Sequence, residues 1–304
     1  MTTVAVVGGT GVIGREIVAA LRAGGRDVIV VSHRRAAAGP DIRYGDMLHA
    51  ETLHPAISGA DVVVQTANFP NYPMEQPKKG WTFQEFDERG TRRLTEVAKL
   101  CGVRRYVFIA GVGARRIPAQ GQVKPYFQAL YNGEEIVLQS GLEPVCIEPT
   151  LVVTPTDHGV NKLLRIAKAV PFVLPVPGGH QLHQPVWGED VGRLVNALVE
   201  PGAPQGVFEI GGPEQMTLLE MLDRVLKVAG VRRRLVPLPL ALANAAGTIA
   251  ERFPGGVLTR SGADFLGENF IADNGPALQA VDLKLHRLED VLPTYIGGRG
   301  SAAS

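Results

Sequence analysis

A glycine-rich segment, Val7-Gly8-Gly9-Thr10-Gly11-Val12-Ile13-Gly14, constrains the fold of this chain more than any other feature. It follows the β-branched run Val4–Val7 and opens a segment of helix length. In this context the first two glycines suit a tight turn, the third lets a pyrophosphate approach the backbone, and the fourth lets the helix pack on the sheet. The free N–H groups and the dipole of the helix favour phosphate. The segment therefore predicts a dinucleotide-binding loop, with a glycine-rich turn that binds nothing as the alternative.

Short apolar runs alternate with helix-length segments through the first half of the chain. The predicted buried strands are Val4–Val7, Val28–Val31, Asp61–Thr66, Arg105–Ile109 and Pro144–Ile147. The predicted helices are Gly14–Ala23, His49–Ile57, Phe83–Leu100 and Tyr126–Gln139. Alternation of this kind requires right-handed crossovers. We predict the α/β class, with a doubly wound parallel Rossmann sheet.

The pattern changes in the second half, which is rich in Pro and Gly before it becomes mainly helical. We predict a nucleotide-binding domain at residues 1–154, joined by 184–204. A smaller, mainly helical substrate domain would comprise 155–183 and 205–298, and residues 299–304 would fray. Asp190 is a plausible N-cap for a helix, and Thr217 with Glu220 has the spacing of a capping box.

Composition narrows the possible functions. The chain has 304 residues, of which 45% are hydrophobic, and its 31 Lys and Arg nearly balance its 30 Asp and Glu. That balance gives no electrostatic basis for binding nucleic acid. No run of about 18 apolar residues occurs, so we expect no stable membrane insertion. Two cysteines and no signal-peptide pattern are consistent with a cytoplasmic protein. We also expect a monomer or small homo-oligomer, and no metal site.

The end of the second strand bears on the choice of cofactor. Ser32, His33, Arg34 and Arg35 follow one another there, and none is the acid that an NAD site uses to bind the ribose diol. Hydroxyl and guanidinium groups suit a 2′-phosphate, so we predict NADP(H) rather than NAD(H). A solvated basic turn is the alternative. Asp46, in the segment Gly45-Asp46-Met47, either contacts the adenine or only caps the next helix.

Several segments resemble those of one known family. In the first half they are Gly8–Gly14, Ser32–Arg35, Gly45-Asp46, Ser58–Val63 and Gly102–Val107, and in the second half Gln184–Val191, Phe208–Glu214 and Leu288–Tyr295. They resemble atypical short-chain dehydrogenase/reductases of the NmrA-like group, including bacterial relatives of the NADPH-binding accessory subunit of mitochondrial complex I. The resemblance implies an extended-type layout, with substrate bound between a nucleotide domain and a small helical domain.

The catalytic pattern of that superfamily is incomplete here. The resemblance implies a Ser, a Tyr and a Lys, the last two spaced Tyr-x-x-x-Lys. Tyr126 stands at the Tyr position, but Leu130 replaces the Lys, and Ala110 and Gly111 supply no hydroxyl at the Ser position. Without the Lys, Tyr126 would titrate near its ordinary value and be a weak acid at neutral pH. Tyr126 is the one catalytic candidate, with aromatic packing under the cofactor as the alternative.

Other candidates follow the predicted strands, where ligand loops gather. The remaining cofactor candidates are Thr66, Ala67, Asn68, Ala110, Gly111, Pro149 and Thr150. The substrate candidates are Phe69, Tyr72, Val112, Glu148, His158 and Trp187. Phe69 and Tyr72 could instead pack their loop, and Trp187 could pack at the domain junction. Glu148 stands where relatives carry Arg and is a possible base, or else it faces a basic partner. His158, His180 and His183 are possible substitute acids.

Two functions fit these features. The first is an NADPH-dependent reduction or isomerisation of a small, partly apolar carbonyl, enone or quinone-like compound, in which positioning supplies much of the rate. The second is a non-catalytic NADP(H)-binding sensor or scaffold, which the missing catalytic groups favour. A structural role in a membrane complex is third, with Leu235–Ala250 as its candidate surface.

Overall fold

A computed structural model describes residues 2–34, 41–70, 72, 74–115, 124–157, 159–243, 245 and 267–296. The chain forms two compact units. The first unit contains Met1–Pro149, Gly188–Ile210 and Ala272–Lys284. The second contains Thr150–Trp187, Gly211–Ile271 and Leu285–Ser304. Strands and helices are numbered in chain order below.

The first unit is built on a seven-stranded parallel sheet. Its strands are β1 (Thr3–Val7), β2 (Asp27–Ser32), β3 (Ile42–Tyr44), β4 (Val62–Gln65), β5 (Arg105–Ile109), β6 (Glu143–Pro149) and β11 (Gly206–Ile210). Their order is β11-β6-β5-β4-β1-β2-β3, and every neighbouring pair is parallel. The order reverses between β1 and β4, which is where ligands bind in open sheets of this type. The predicted fold class is confirmed.

Helices cover the sheet of the first unit. They are α1 (Val12–Ala23), α2 (Ala50–Ile57), α3 (Thr91–Leu100), α4 (Pro125–Leu138), α6 (Gly188–Leu198) and α8 (Gly275–Ala280). The predicted single helix Phe83–Leu100 is wrong in its first half, because Gln84–Gly90 is π-helical and the α-helix starts at Thr91. Asp190 is not an N-cap either, because α6 begins at Gly188 and Asp190 lies fully buried in its first turn.

A buried arginine fastens a distant segment to this sheet. Arg105 on β5 is fully buried, and its guanidinium donates to the carboxylate of Glu143, 2.9 Å away, and to the carbonyl oxygens of Leu198 and Ala203. A buried guanidinium has to satisfy its donors in this way. Residues 188–210 are thereby held to the sheet, and their last strand, β11, pairs with β6.

This attachment differs from the predicted boundary at residue 205. Gly206–Ile210 and Ala272–Lys284 belong to the first unit, not to the smaller one. The local pattern of residues 207–210 indicates a buried strand, but it cannot say which sheet that strand joins, because the partner β6 is distant along the chain.

The second unit combines helices with short strand pairs. Its helices are α5 (Gly159–Ala169), α7 (Leu218–Val228) and α9 (Leu288–Tyr295). Its strands are β7 (Val152–Val153), β8 (Val173–Pro177), β9 (Leu182–His183), β10 (Val186–Trp187), β12 (Met216–Thr217) and β13 (Arg234–Leu238), which pair as β7–β10, β8–β13 and β9–β12. The segment Leu235–Ala250 therefore begins in a strand, and its residues 244 and 246–250 lie outside the described chain.

The capping box predicted at the start of α7 is present. The Thr217 hydroxyl accepts from the Glu220 N–H at 3.2 Å, and the Glu220 carboxylate accepts from the Thr217 N–H at 2.7 Å. Two of the N–H groups that a helix start leaves unpaired are satisfied reciprocally. The capping box thus fixes the start of α7, whose buried face runs from Leu218 to Leu226.

Thr217→Ala should lower the free energy of unfolding by about 1 kcal/mol, because it removes the acceptor of the capping bond. Thr217→Ser keeps the hydroxyl and should retain most of that stability. Chemical denaturation of the three proteins measures the difference. Equal losses in both variants would contradict a capping role for the hydroxyl.

Candidate functional site

The glycine turn after β1 is closed tightly on itself. Gly8 has φ +90°, and a Cβ there would lie 2.6 Å from the Cα of Ala67. A Cβ at Gly14 would lie 2.2 Å from the Gly8 carbonyl oxygen, which accepts the Gly11 N–H at 2.8 Å. These positions require glycine because no side chain fits. The glycine turn therefore brings the start of α1 into close contact with the end of β1.

Gly11 differs from the other glycines of the turn. It is exposed, its φ is −74°, and a Cβ would meet only the Gly8 carbonyl oxygen, at 3.0 Å. It is also the N-cap of α1, which no side-chain hydrogen bond caps within the described chain. Uncapped N–H groups beside an open backbone face form a cradle suited to a diphosphate. The remaining predicted members of the turn, Thr10, Val12 and Ile13, flank this face.

The end of β2 lies beside this turn. The Ser32 hydroxyl is buried, lies 3.1 Å from the Thr10 hydroxyl, and accepts the N–H of Arg34 at 3.2 Å. Ser32 therefore ties the two loops together. The side chains of His33 and Arg34 are exposed and accessible to a ligand. Arg35 lies outside the described residues.

Asp46 shapes the loop after β3. Its Oδ1 accepts the N–H of Leu48 at 2.9 Å, while the Thr52 hydroxyl receives the N–H of Asp46, also at 2.9 Å. The N-cap of α2 is His49, so the helix-capping alternative for Asp46 is wrong. The carboxylate instead forms a local turn of the kind Asp favours. Contact with an adenine stays a prediction.

The segments after β4, β5 and β6 hold the other predicted cofactor residues. Thr66 continues the pairing with β1 by donating its N–H to Val7, Ala67 contacts Gly8, and Asn68 is exposed. The N–H of Ala110 bonds to Ile147, and Pro149 accepts from Val112. Thr150 belongs to the second unit, where its hydroxyl donates to the Gln184 carbonyl oxygen at 2.5 Å. Contact of Thr150 with a cofactor stays a prediction.

Tyr126 lies in the first turn of α4, and its hydroxyl rests on Gly111. A Cβ at position 111 would lie 2.8 Å from that hydroxyl oxygen and 3.3 Å from Cδ1 of Leu130. A serine at position 111 would therefore collide with Tyr126. Burial raises the pKa of Tyr126 well above its ordinary value. The hydroxyl is protonated throughout the neutral range.

An aromatic cluster surrounds Tyr126. Its rings belong to Phe69, Tyr72, Phe83, Phe86, Tyr126 and Phe127, with neighbouring centroids 4.9 to 5.9 Å apart. Phe69 is 2% exposed, and Val112, which follows β5, is 3% exposed. Contact of these two residues with a substrate stays a prediction. Both are core residues, and Phe69 is buried because it packs on Tyr72 of its own loop and on the rings of Phe83 and Phe86.

Glu148 lies beside another buried acid. It is 1% exposed, its charge acts on the fully buried Glu134 of α4, and it accepts the N–H of Gly113 at 3.2 Å. The Arg115 guanidinium lies 2.9 Å from the Glu134 carboxylate and 2.6 Å from that of Glu135. Burial raises the pKa of Glu148 to about 7 and, together with the charge of Glu148, that of Glu134 to about 9. The pair therefore holds protons in the neutral range.

Sequence reasoning missed Glu134 and Arg115, and it also missed Asp87. Glu134 lies eight residues after Tyr126 on the same face of α4, a spacing of about two turns that could have indicated it. Asp87 is 4% exposed on the π-helical segment, and burial followed by the charge of Glu75 raises its pKa to about 8. No local signal identifies a buried acid on a segment that reads as an amphipathic helix.

The histidine and tryptophan candidates fall in the second unit. His158 lies outside the described residues, and His180 is exposed. His183 is buried beside Phe270, and burial lowers its pKa to about 4, so it is neutral and a poor acid donor at pH 7. Trp187 stacks on Tyr295, with centroids 6.0 Å apart. Among the described residues, no group of three metal-ligating side chains occurs, and no helix has the length and apolar character needed to cross a membrane.

Glu148→Gln should stabilise the protein at pH 8 and much less at pH 5. The folded state binds more protons than the unfolded state above pH 4.5, because both pKa values of the pair are raised. The free energy of unfolding therefore falls as pH rises towards 9, and the amide removes one of the two ionisations. We expect a gain on the order of 1–3 kcal/mol at pH 8.

Chemical denaturation at both pH values measures this gain. Glu96→Gln, an exposed acid on α3, is the control and should change stability by less than about 0.5 kcal/mol. If Glu148→Gln changes stability equally at pH 5 and pH 8, ionisation of Glu148 does not destabilise the folded protein.

Comparisons with known proteins agree with this geometry. Residues 8–169, which include the glycine turn and most strands of the first unit's sheet, match the model of the NAD(P)H-binding family. The chain also resembles a UDP-glucose 4-epimerase of Thermus thermophilus, solved with NAD, with a TM-score of 0.74 and 20% identity over 99% of this chain and 100% of that one. At this identity the likeness shows the fold alone.

Two curated relatives are larger proteins. The chain is 24% identical, over 79% of its length and 61% of the relative, to subunit 9 of the NADH dehydrogenase (ubiquinone) 1 alpha subcomplex of Arabidopsis thaliana mitochondria. It is 27% identical, over 46% of its length and 42% of the relative, to the photosystem II assembly factor Ycf39 of Cyanophora paradoxa. The chain spans about three-fifths of the length of the first relatives. By the match over more than half of its residues, this chain belongs to the NAD(P)H-binding family.

Proposed function

We propose that this chain binds NADP(H) at the turn after β1 and uses it to reduce a small, partly apolar carbonyl, enone or quinone-like compound. The observation that carries the proposal is the exposed backbone of Gly11 beside the uncapped start of α1. Together they offer N–H groups and the positive end of a helix dipole to a diphosphate. We further propose a cytoplasmic monomer or small homo-oligomer.

The preference for NADP(H) rests on the end of β2. Two exposed side chains there, His33 and Arg34, are available to a phosphate, while the Ser32 hydroxyl is engaged in the loop itself. A carboxylate at this position would repel a 2′-phosphate and bind a ribose diol instead. No carboxylate occurs among residues 32–35.

The proposed reaction uses few side chains. The reduced nicotinamide, when bound, supplies the hydride. Tyr126 holds a proton at its hydroxyl beside Gly111, and its raised pKa keeps that proton in place at neutral pH. Leu130 offers no positive charge that would ease its release. Acceptors that need little proton assistance at the reacting oxygen, such as enones and quinones, therefore suit this site best.

A non-catalytic NADP(H)-binding sensor or scaffold is the second candidate. It is favoured by Leu130 and by Gly111, where a serine would collide with Tyr126. The names of two relatives, a respiratory-chain subunit and a photosystem assembly factor, point in the same direction. Fold does not decide between the two functions, because both require the same turn and helix.

Arg34→Ala should weaken NADPH binding about tenfold or more and leave NADH binding nearly unchanged, because it removes a charge-assisted contact to the 2′-phosphate.

Gly11→Ala should weaken the binding of both nucleotides, since a methyl group there meets only one carbonyl oxygen of the protein but blocks the diphosphate. Fluorescence titrations measure both. Arg165→Ala, an exposed arginine of α5, is the control. Unchanged binding in Gly11→Ala would place the nucleotide elsewhere.

The wild-type protein should oxidise NADPH in the presence of an enone or quinone, and Tyr126→Phe should lower kcat less for a quinone than for an aldehyde, because the aldehyde needs more proton assistance at its oxygen. Loss of NADPH absorbance across a panel of quinones, enones and aldehydes measures this activity. Tight NADPH binding with no oxidation by any acceptor would instead support the sensor or scaffold.

A further inference from the structure

Phe172, in the loop between α5 and β8, combines a strained backbone with a side chain that lies in solvent. Its φ is +60°, and among the described residues other than glycine it alone has a positive φ. The Val173 N–H donates to the Pro171 carbonyl oxygen at 2.7 Å, which makes Phe172 the central residue of a γ-turn of the rare, strained type. The side chain is nevertheless 83% exposed. The fold gains no core packing from this ring, although the backbone holds it in an unfavourable conformation.

Backbone contacts hold this turn in place. The Phe172 carbonyl oxygen accepts the N–H of Arg234 at 2.9 Å. The Arg233 guanidinium donates to the carbonyl oxygens of Ala167 and Val170, at 2.8 and 2.6 Å, where the end of α5 leaves carbonyls unpaired. None of these contacts uses the Phe172 ring. The turn therefore presents the ring to solvent, and the ring can be replaced without removing a contact that holds the turn.

The strands β8 and β13 extend this exposed apolar surface. Their register pairs Val173 with Arg234 and Pro175 with Val236, and all four residues are exposed. Leu174, between the two exposed residues of β8, is buried in the second unit. Because successive side chains of a strand alternate between its two faces, the four exposed residues share the outer face. We call this surface the outer patch, and it comprises Phe172, Val173, Pro175, Arg234 and Val236.

The outer patch is better suited to contact through its face than through its edges. Val173 is 42% exposed and Val236 37% exposed, so apolar side chains contribute much of the face. Pro175 lies in β8 and Pro237 in β13, and neither has an N–H to donate to a further strand. Prolines of this kind protect a sheet edge from strand addition. A partner that lies against the face is therefore favoured over a peptide that adds a strand.

The segments that form the outer patch carry positive charge only. Residues 158–188 and 224–250 contain no Asp or Glu, although the whole chain has 30 acids against 31 Lys and Arg. Arg165 and Lys168 of α5, together with Arg232 and Arg234, are exposed and have no ion-pair partner among the described residues. Unpaired cations around an exposed apolar face complement a surface that is negatively charged outside and apolar beneath.

We propose that the outer patch docks on an anionic phospholipid surface. The Phe172 ring enters the boundary between headgroups and acyl chains, where aromatic rings are favoured, and Arg232 and Arg234 contact lipid phosphates. The contact is peripheral and involves no spanning segment. This inference goes beyond the proposed function and does not depend on it, since neither nucleotide nor acceptor takes part.

Sedimentation with vesicles tests the proposal on the purified full-length chain. The protein should sediment with vesicles of phosphatidylcholine mixed with phosphatidylglycerol, and far less with phosphatidylcholine alone. High salt should release it, because salt screens exposed charges. Equal binding to both kinds of vesicle, or binding to neither, would overturn the proposal.

Variants locate the contact. Phe172→Gly, and the double variant Arg232→Ala with Arg234→Ala, should each weaken binding to the mixed vesicles about tenfold or more. Glycine adopts φ +60° without strain, so the unfolding midpoint of Phe172→Gly should not fall. Leu100→Ala and Lys99→Ala, which change an exposed apolar and an exposed basic residue of α3, are the matched controls and should bind as the wild type does. Equal losses in the controls and the patch variants would contradict a specific role for the outer patch.

Fluorescence quenching reports the position of residue 172 directly. The wild type contains Trp81 and Trp187, which provide the baseline for Phe172→Trp. Mixed vesicles with brominated acyl chains should quench Phe172→Trp more than the wild type and shift its emission to shorter wavelength. Equal quenching in both proteins would show that residue 172 does not enter the lipid.

Sedimentation equilibrium without lipid distinguishes the main alternative occupant, a second copy of this chain. We expect Phe172→Gly and the wild type to have the same oligomeric state. If Phe172→Gly instead converts a dimer into a monomer, and the wild type binds no vesicles, the outer patch is an interface between copies and the lipid proposal is wrong.

Discussion

The carbonyl oxygen of Gly8 is the point on which the first unit depends. It accepts the Gly11 N–H at 2.8 Å and leaves no room for a side chain at Gly14. Because the turn is this tight, α1 begins at Val12, shortly after β1 ends at Val7, and packs on the sheet along its buried face. The same constraint leaves Gly11 outside the packing. One contact thus explains both the stability of the helix–strand junction and the open backbone beside it.

The first unit also contains buried acids that keep their protons near neutral pH. Three of its buried acids, Asp87, Glu134 and Glu148, have a raised pKa, and burial is the largest cause of the rise in each. Glu143 shows the opposite case, since Arg104 and Arg105 beside it hold its pKa below the ordinary value. The contrast lies in pairing: Glu143 has two guanidinium partners, whereas Glu134 and Glu148 share Arg115. Where buried carboxyl groups outnumber their cationic partners, some of the carboxyl groups stay protonated.

Local patterns predicted the parts of the structure that depend on local energetics. Five strands of the sheet, the glycine turn and the Thr217–Glu220 capping box all follow from residues close together in the chain. Long-range pairings were not predictable in this way. The partner of β11, the acid that faces Glu148, and the burial of Phe69 depend on segments distant in sequence. A single sequence shows side-chain chemistry and periodicity, but not which buried side chains meet.

The attachment of residues 188–210 has a consequence for the nascent chain. The first unit is discontinuous, because β11 and the carbonyls held by Arg105 are made long after β5 and β6. Until Gly206–Ile210 has been synthesised, β6 is an unpaired sheet edge. The Arg105 guanidinium likewise lacks two of its acceptors until Leu198 and Ala203 have been made. Exposed edges of this kind recruit other strands. Between the synthesis of β6 and that of β11, the nascent unit therefore has an open sheet edge that other strands could join.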